Sequence, residues 1–318
     1  ELKTKSGETF IAICEKEPAT KKETDEICNL AEKGTWSVIS VNETPVNRAP
    51  FPPFITSTLQ QSASNRLGFS PKRTMMAAQK LYEAGHITYM RTDSLNMSDS
   101  SLNQIATEVS KKFGAKLHQR RIYKTTSKNA QEAHEAIRPS HFAKETAGGA
   151  DAQRALYRLI WQRAVSSQMI DAVIMRTRVV SNIATKSIPD FIVNGSRVIN
   201  AGWLLADPDA KGEEKTTPKV SASDPLTLQK ITPEEKQTQP PNRYSEAGLI
   251  KELEKRGIGR PSTYASIINT IIERGYVDKE GRTLKPTDTG DVVSTFLEQN
   301  FETYISDTFT AEMEDELD

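Results

Sequence analysis

The run Ala49-Pro50-Phe51-Pro52-Pro53-Phe54 constrains this chain more than any other feature. Its prolines remove three backbone N–H donors and hold φ near −65°, so the stretch can be neither a helix interior nor a central strand. It reads as a boundary between two differently built regions. Before it, Phe10-Ile11-Ala12-Ile13-Cys14 is an apolar run of strand length, and Trp36-Ser37-Val38-Ile39-Ser40-Val41 alternates as a half-buried strand does. Between them Lys22 to Lys33 is predicted helical, with Gly34 closing it.

After the prolines, helical spacing takes over. Helices are predicted over Thr56 to Leu67, over Pro71 to Ala84 with Pro71 in the first turn and Gly85 at the end, over Ser98 to Phe113 with Ser98 as N-cap, and over Ala150 to Met169. His86 to Met90 is β-branched and aromatic, which predicts a short strand. Val173 to Val180 and Phe191 to Val193 return to the alternation of an antiparallel sheet with one wet face. Residues 206–224, rich in Asp, Lys, Pro, Thr and Ser, read as a loop. Helices over Ser245 to Arg256 and Pro261 to Arg274, then a hairpin turning at Asp278-Lys279-Glu280-Gly281, give the order of a winged helix-turn-helix.

The 318 residues suit two or three domains. Lys and Arg balance Asp and Glu at 42 each, but unevenly along the chain. Residues 49–169 hold 17 basic and 8 acidic groups, a net +9, whereas residues 301–318 hold seven acidic groups and no basic one. A basic segment suits a phosphate backbone, whose neutralisation releases counterions. The acidic end, Glu312 to Asp318, reads as a solvated helical face. No apolar run approaches the ~18 residues of a membrane span. The start, Glu1-Leu2-Lys3-Thr4, has no initiator Met and no signal core, and reads as a cut from a longer cytosolic chain. Cys14 and Cys28 lack metal-ligand spacing, and His86, His118, His134 and His141 are scattered, so no metal site is expected. Asp207-Pro208-Asp209-Ala210-Lys211 opens like a calcium loop, but Lys211 stands where an oxygen ligand belongs and Pro218 fills the twelfth position.

Three stretches can carry chemistry. Thr88-Tyr89-Met90-Arg91-Thr92-Asp93-Ser94 packs hydroxyls and opposite charges together. A tyrosine hydroxyl can attack a phosphodiester if its charge is stabilised, and Arg91 can hold the non-bridging oxygens while Asp93 orients it. Gln131 to Pro139 contains His134, suited to proton transfer near neutrality, but no second His completes a zinc-protease pattern. Gly257-Ile258-Gly259-Arg260-Pro261-Ser262-Thr263-Tyr264 lets backbone approach a ligand at the start of a helix, which suits phosphate. Spacing alone leaves each open: a structural Tyr, a hydrogen-bonded structural His and a plain interhelical turn fit as well.

Together these runs decide more. Pro53 to Gln61, Leu81 to Ser94, Gln131 to Ser140, Glu252 to Arg256 and Gly259 to Ala265 resemble, in the same order, the bacterial DNA topoisomerases of type IA, and the similarity covers essentially the whole chain. The resemblance implies an α+β multidomain fold: a toroidal core with an antiparallel β arch, plus helical domains with winged-helix-like elements. It places residues 1–48 and 170–241 in the discontinuous arch, 49–169 in the strand-passage domain and 242–318 in part of the base. It implies an ATP-independent enzyme that breaks one DNA strand through a 5′-phosphotyrosine and relaxes negative supercoils. Tyr89 would be the nucleophile, Arg91 the phosphate stabiliser and His134 a DNA-linked catalytic group. DNA contacts are implied at Thr92, Asp93, Arg138, Arg260, Ser262 and Thr263. The implied partner is DNA, preferably single-stranded or negatively supercoiled, met by a monomer in the bacterial cytoplasm at the nucleoid. The family's magnesium site uses an Asp-x-Asp-x-Glu run that this sequence lacks. Mg2+ is therefore expected for the whole enzyme with its ligands absent from this chain, which alone would bind single strands without completing the reaction. The rival readings are a non-enzymatic winged-helix DNA-binding protein using residues 262–274, and a topoisomerase III-like decatenase; the Gln60-Gln61 and Met-Arg-Thr-Asp contexts read more like topoisomerase I.

Overall fold

Proline at 50, 52 and 53 ends the long strand before it, and the chain leaves one compact unit for another at that point. A computed structural model of the chain describes residues 1–124 and 134–317, so Gln131, Glu132 and Ala133 of the second predicted stretch lie outside the described residues. The fold is α+β. One unit holds Glu1–Ala49, Asp171–Leu204 and Pro208–Gln239; the other holds residues 50–170, 205–207 and 240 onward.

The first unit is a seven-stranded antiparallel sheet of β1 (Leu2–Thr4), β2 (Thr9–Phe10), β3 (Ile13–Cys14), β4 (Trp36–Arg48), β5 (Ala172–Ile183), β6 (Phe191–Asn200) and β7 (Pro225–Leu228), in the order β2-β1-β7-β4-β5-β6-β3. Its spine is β4 against β5, paired from Trp36↔Ile183 to Arg48↔Ala172 with a bulge between Val38 and Ser40. Both strands run well beyond the alternating residues that mark them in sequence. The predicted single strand over Phe10 to Cys14 is instead two, β2 and β3, on opposite edges of the sheet. From Phe10 to Ile13 is three residue steps, about 11 Å at most. The sheet must therefore curl until its edges nearly meet.

Helix α1 (Lys21–Lys33) covers this sheet and is capped by Thr20, whose hydroxyl accepts the Glu23 N–H at 3.2 Å. Gly34 permits the closure, because a Cβ there would stand 2.3 Å from Ile183 Cγ2. Trp36 fills the space below, edge-on to Phe191 at 5.2 Å, and its indole N–H donates to the Ala31 carbonyl at 2.8 Å. Leu2, Val38, Val179 and Ile188 complete this core.

The second unit is mainly helical. Helix α2 (Thr56–Leu67) ends at Gly68 in the left-handed region, and α3 (Pro71–Glu83) starts with Pro71 in its first turn and Ser70 accepting the Arg73 N–H at 3.2 Å. Helix α4 (Asp99–Lys112) follows its N-cap Ser98. Helix α5 (Asp151–Ser166) is the central rod: Leu156, Leu159, Ile160, Trp161 and Val165 are all buried, each fully buried aliphatic contributing roughly 1.5–3 kcal/mol. The proline run packs on it. The Arg163 guanidinium lies over the rings of Phe51 and Phe54, 4.9 and 4.2 Å from their centroids. Burial pushes Arg163 down to about 10, with nearby Asp207 opposing the shift, so it stays charged at neutral pH. Asp207 is itself buried and takes a two-pronged ion pair from Arg66 at 2.7 and 3.0 Å.

The end of the chain adds α6 (Glu246–Arg256), α7 (Tyr264–Glu273), the hairpin β8 (Val277–Glu280) and β9 (Thr283–Pro286), then α8 (Asp288–Asn300), α9 (Glu302–Ile305) and α10 (Asp307–Leu317). Helix, turn, helix and wing stand in the predicted order. Helix α7 begins at Tyr264 and not at Pro261, because residues 261–263 form a turn closed by the Thr263 hydroxyl on the Arg260 backbone, its oxygen accepting the Arg260 N–H at 2.8 Å. The predicted strand over His86 to Met90 is also corrected. Its pairing is one bridge, Ile87↔Pro139, because the chain beyond Thr88 bonds to the start of α2. Residues 206–224 carry one short 3₁₀ turn, Pro208–Ala210, and a bridge from Lys215 to Ser196.

Asp207→Ala removes the anion shared by Arg66 and Arg163. Leaving these half-buried cations uncompensated costs about 2 kcal/mol, read as a lowered midpoint in urea unfolding. A midpoint unchanged from wild type contradicts the role given to this pair.

Candidate active site

The loop Thr88 to Ser94 is held from two sides. On one side is the first turn of α2. The Thr56 hydroxyl donates to the Met90 carbonyl at 2.8 Å and the Thr92 carbonyl at 3.1 Å, and its oxygen accepts the Thr92 N–H at 2.9 Å. The Thr56 N–H donates to the Thr92 carbonyl at 2.9 Å. On the other side runs the segment 134–140. Thr88 N–H donates to the Arg138 carbonyl at 3.0 Å, Ser140 N–H to the His86 carbonyl at 2.9 Å, and the Thr88 hydroxyl to the Ala136 carbonyl at 2.7 Å. Within the loop, Thr92 Oγ1 accepts the Ser94 N–H at 3.0 Å and Ser94 Oγ accepts the Asn96 N–H at 3.2 Å, side chains fixing the turn in place of a ladder.

This anchoring sorts the side chains. Met90, Thr92 and Ser94 are buried, whereas Tyr89 is 38% exposed. The Tyr89 ring lies 5.3 Å from that of Tyr82 and 6.1 Å from that of His134. Arg91 is exposed and forms no ion pair or hydrogen bond among the described residues. Thr92, expected from sequence among the DNA contacts, is turned inward, its hydroxyl spent on the loop.

Arg138 is half turned in. It pairs with Glu135, donates from Nη1 to the Pro139 carbonyl at 3.0 Å, and keeps a buried Nε with no hydrogen-bond partner among the described residues. Glu135 also accepts the Ser98 N–H at 2.6 Å. Burial alone would raise its pKa, but the bond from Ser98 and the Arg138 charge outweigh burial and hold the carboxyl below its ordinary range.

The third predicted stretch belongs to the same unit. Helices α2 and α6 pack together, and the Ser57 hydroxyl donates to Glu254 Oε1 at 2.6 Å. Tyr264 is buried. Burial first, then the carboxylates of Glu254, Glu314 and Asp93, push its phenol up. Arg260 Nη1 donates to the carbonyls of Gly257 and Gly259 at 3.1 Å each, its backbone N–H bonds Thr263 Oγ1 at 2.8 Å, and Ser262 is exposed. Sequence reasoning missed Tyr82, Glu135 and the anchoring role of Thr56. The signal for Thr56 was a hydroxyl in the first turn of a helix, readable as a cap but equally free to bond another segment.

The family model described as DNA topoisomerase matches residues 1–318. The chain belongs to the type IA DNA topoisomerase family. It is 46% identical over 310 residues to DNA topoisomerase 1 of Salmonella typhimurium and to that of Escherichia coli, each match covering 95% of this chain and 35% of the relative. The structure of full-length topoisomerase I from Thermotoga maritima matches with a TM-score of 0.81 at 34% identity, over 96% of this chain and 52% of that one. This topoisomerase chain therefore spans about a third of the length of its curated relatives. Among its described residues no group of three or more His, Cys, Asp or Glu is placed to hold a metal ion. No helix among them is long and apolar enough to cross a membrane.

Thr56→Val keeps the shape of the first turn and removes the hydroxyl. The buried Thr92 N–H then loses its partner, at about 2 kcal/mol. Hydrogen exchange at Met90 to Ser94 is expected to quicken while α5 stays protected. Unchanged exchange there contradicts the anchor.

Proposed function

We propose that this chain carries the strand-breaking nucleophile of a type IA DNA topoisomerase, and that Tyr89 is that nucleophile. One observation carries the reading: Tyr89 is an exposed phenol on a loop whose neighbouring side chains are buried and bonded from both sides. In the reaction the Tyr89 oxygen bonds to a backbone phosphorus, the bond from that phosphorus to the 3′ oxygen breaks, and the 5′ phosphate stays on the tyrosine. The 3′ hydroxyl later attacks the same phosphorus and restores the strand. The bond energy is kept in the phosphotyrosine, so no ATP is required.

The residues divide the work. Arg91, exposed beside Tyr89, is suited to take the non-bridging oxygens, whose charge grows in the transition state. His134, the neighbouring imidazole, is suited to moving the proton between the phenol and the leaving oxygen near neutral pH. Asp93, Arg138, Arg260, Ser262 and Thr263 line or shape the path of the strand, and Thr92 acts through the loop it folds. The substrate is DNA, single-stranded or negatively supercoiled, bound by a monomer in the cytoplasm at the nucleoid. Residues 1–48 and 170–241 serve as the arch, 49–169 as the strand-passage part and 242–318 as part of the base. Magnesium belongs to the whole protein, whose Asp-x-Asp-x-Glu run is absent from this sequence. Family membership weighs against both the purely DNA-binding reading and the topoisomerase III-like one.

The test is covalent trapping on a labelled single-stranded oligonucleotide with magnesium. The protein is a chimera in which this chain replaces the matching segment of the Escherichia coli relative. A denaturation-resistant adduct is expected with Tyr89 present and none with Tyr89→Phe. An adduct that survives Tyr89→Phe removes Tyr89 from the chemistry.

A further inference from the structure

The acidic end of the chain reads in sequence as a solvated face, and for Glu312 and Glu316 the structure agrees. Glu314 is different. Ala311, Glu314 and Asp315 stand at the i, i+3, i+4 spacing that shares one helix face, and this face of α10 lies on the glycine loop before α7. A Cβ at Gly257 would meet Ala311 Cβ at 3.6 Å. Glu314 Oε1 accepts the Gly259 N–H at 3.1 Å, and its Oε2 lies 3.4 Å from Arg260 Nη1. Asp315 Oδ1 accepts from Arg260 Nη2 at 3.0 Å. The two carboxylates are not equivalent. The Asp315 side chain is 72% exposed, where an ion pair contributes little, but that of Glu314 is 21% exposed.

We propose that Glu314 is a positioning residue for the phosphate contact of Arg260. The inference rests on the reading of Arg260 as a DNA contact. Gly257 and Gly259 both sit at positive φ, +73° and +81°, a conformation that glycine permits but does not enforce. Something else must choose it. One carboxylate, by accepting a backbone N–H and a guanidinium of the same loop, fixes the loop and the direction of Arg260 together. The donors of Arg260 then meet a strand already oriented, with less freedom to lose on binding. A carboxylate that merely competed with phosphate for Arg260 would have the opposite effect on affinity, so the sign of the change decides between them.

The experiment is anisotropy titration of a labelled single-stranded oligonucleotide with the full chain at several salt concentrations. The proteins are wild type, Arg260→Ala, Glu314→Ala, Glu314→Gln and Glu312→Gln, each checked for folding by thermal unfolding. Arg260→Ala is expected to bind about tenfold more weakly, the value of one charged hydrogen bond. Its salt slope should be shallower by about 0.7, one phosphate. Glu314→Ala should lose the same slope. Glu314→Gln keeps an acceptor for the Gly259 N–H and should bind within about twofold of Glu312→Gln, which removes an equal charge from an exposed site. Glu314→Ala binding as tightly as Glu312→Gln, or more tightly, overturns the proposal. If wild type does not bind, or Arg260→Ala binds like wild type, the DNA reading of Arg260 fails and takes this inference with it. The Arg260 arm alone reports that outcome.

Discussion

Thr56 is a residue of the first turn of α2, yet its hydroxyl bonds to a segment more than thirty positions later in the chain, accepting the Thr92 N–H and donating to the Met90 and Thr92 carbonyls. The tyrosine loop has no ladder of its own beyond the bridge at Ile87, and a buried loop without partners for its N–H and C=O groups is unstable. Thr56 from one side and the 134–140 segment from the other supply those partners. The buried residues Met90, Thr92 and Ser94 fix the backbone, and Tyr89 and Arg91, on either side of Met90, are left facing solvent. Under the proposed function this anchoring serves in-line attack on a bulky phosphodiester, because misplacement of the attacking oxygen by about an ångström costs orders of magnitude in rate.

The same helix joins this loop to the winged-helix part. Ser57, one residue on, donates to Glu254 of α6. Asp93 from the tyrosine loop and Glu254 from α6 both act on the buried Tyr264. Three sequence runs that looked independent thus share one compact unit, built around α2 and α5.

Much of this is legible in the amino-acid sequence. The prolines at 50–53 mark where the chain leaves the sheet unit, and the helix over Thr56 to Leu67 follows from apolar spacing. What failed was tertiary in origin. Phe10 to Cys14 looks like one strand because its apolar run is unbroken, but the curl of the sheet divides it between two edges. His86 to Met90 has strand composition, and the hydroxyls at 56 and 88 take the bonds a strand would have used. Of the site, Tyr89, Arg91 and His134 were readable as residue types. The inward turn of Thr92 and of Glu314 was not, since periodicity does not say which polar side chain another segment will claim.

The central claim is that the exposed phenol of Tyr89, and not the neighbouring exposed phenol of Tyr82, takes the phosphate. Peptide mapping by mass spectrometry of the trapped DNA adduct tests this directly. After nuclease treatment and cleavage at Lys80 and Arg91, both tyrosines fall in one peptide, Leu81 to Arg91, and fragmentation locates the residual nucleotide. A nucleotide on Tyr89 alone is the predicted result. A nucleotide on Tyr82, or outside this peptide, would contradict the account.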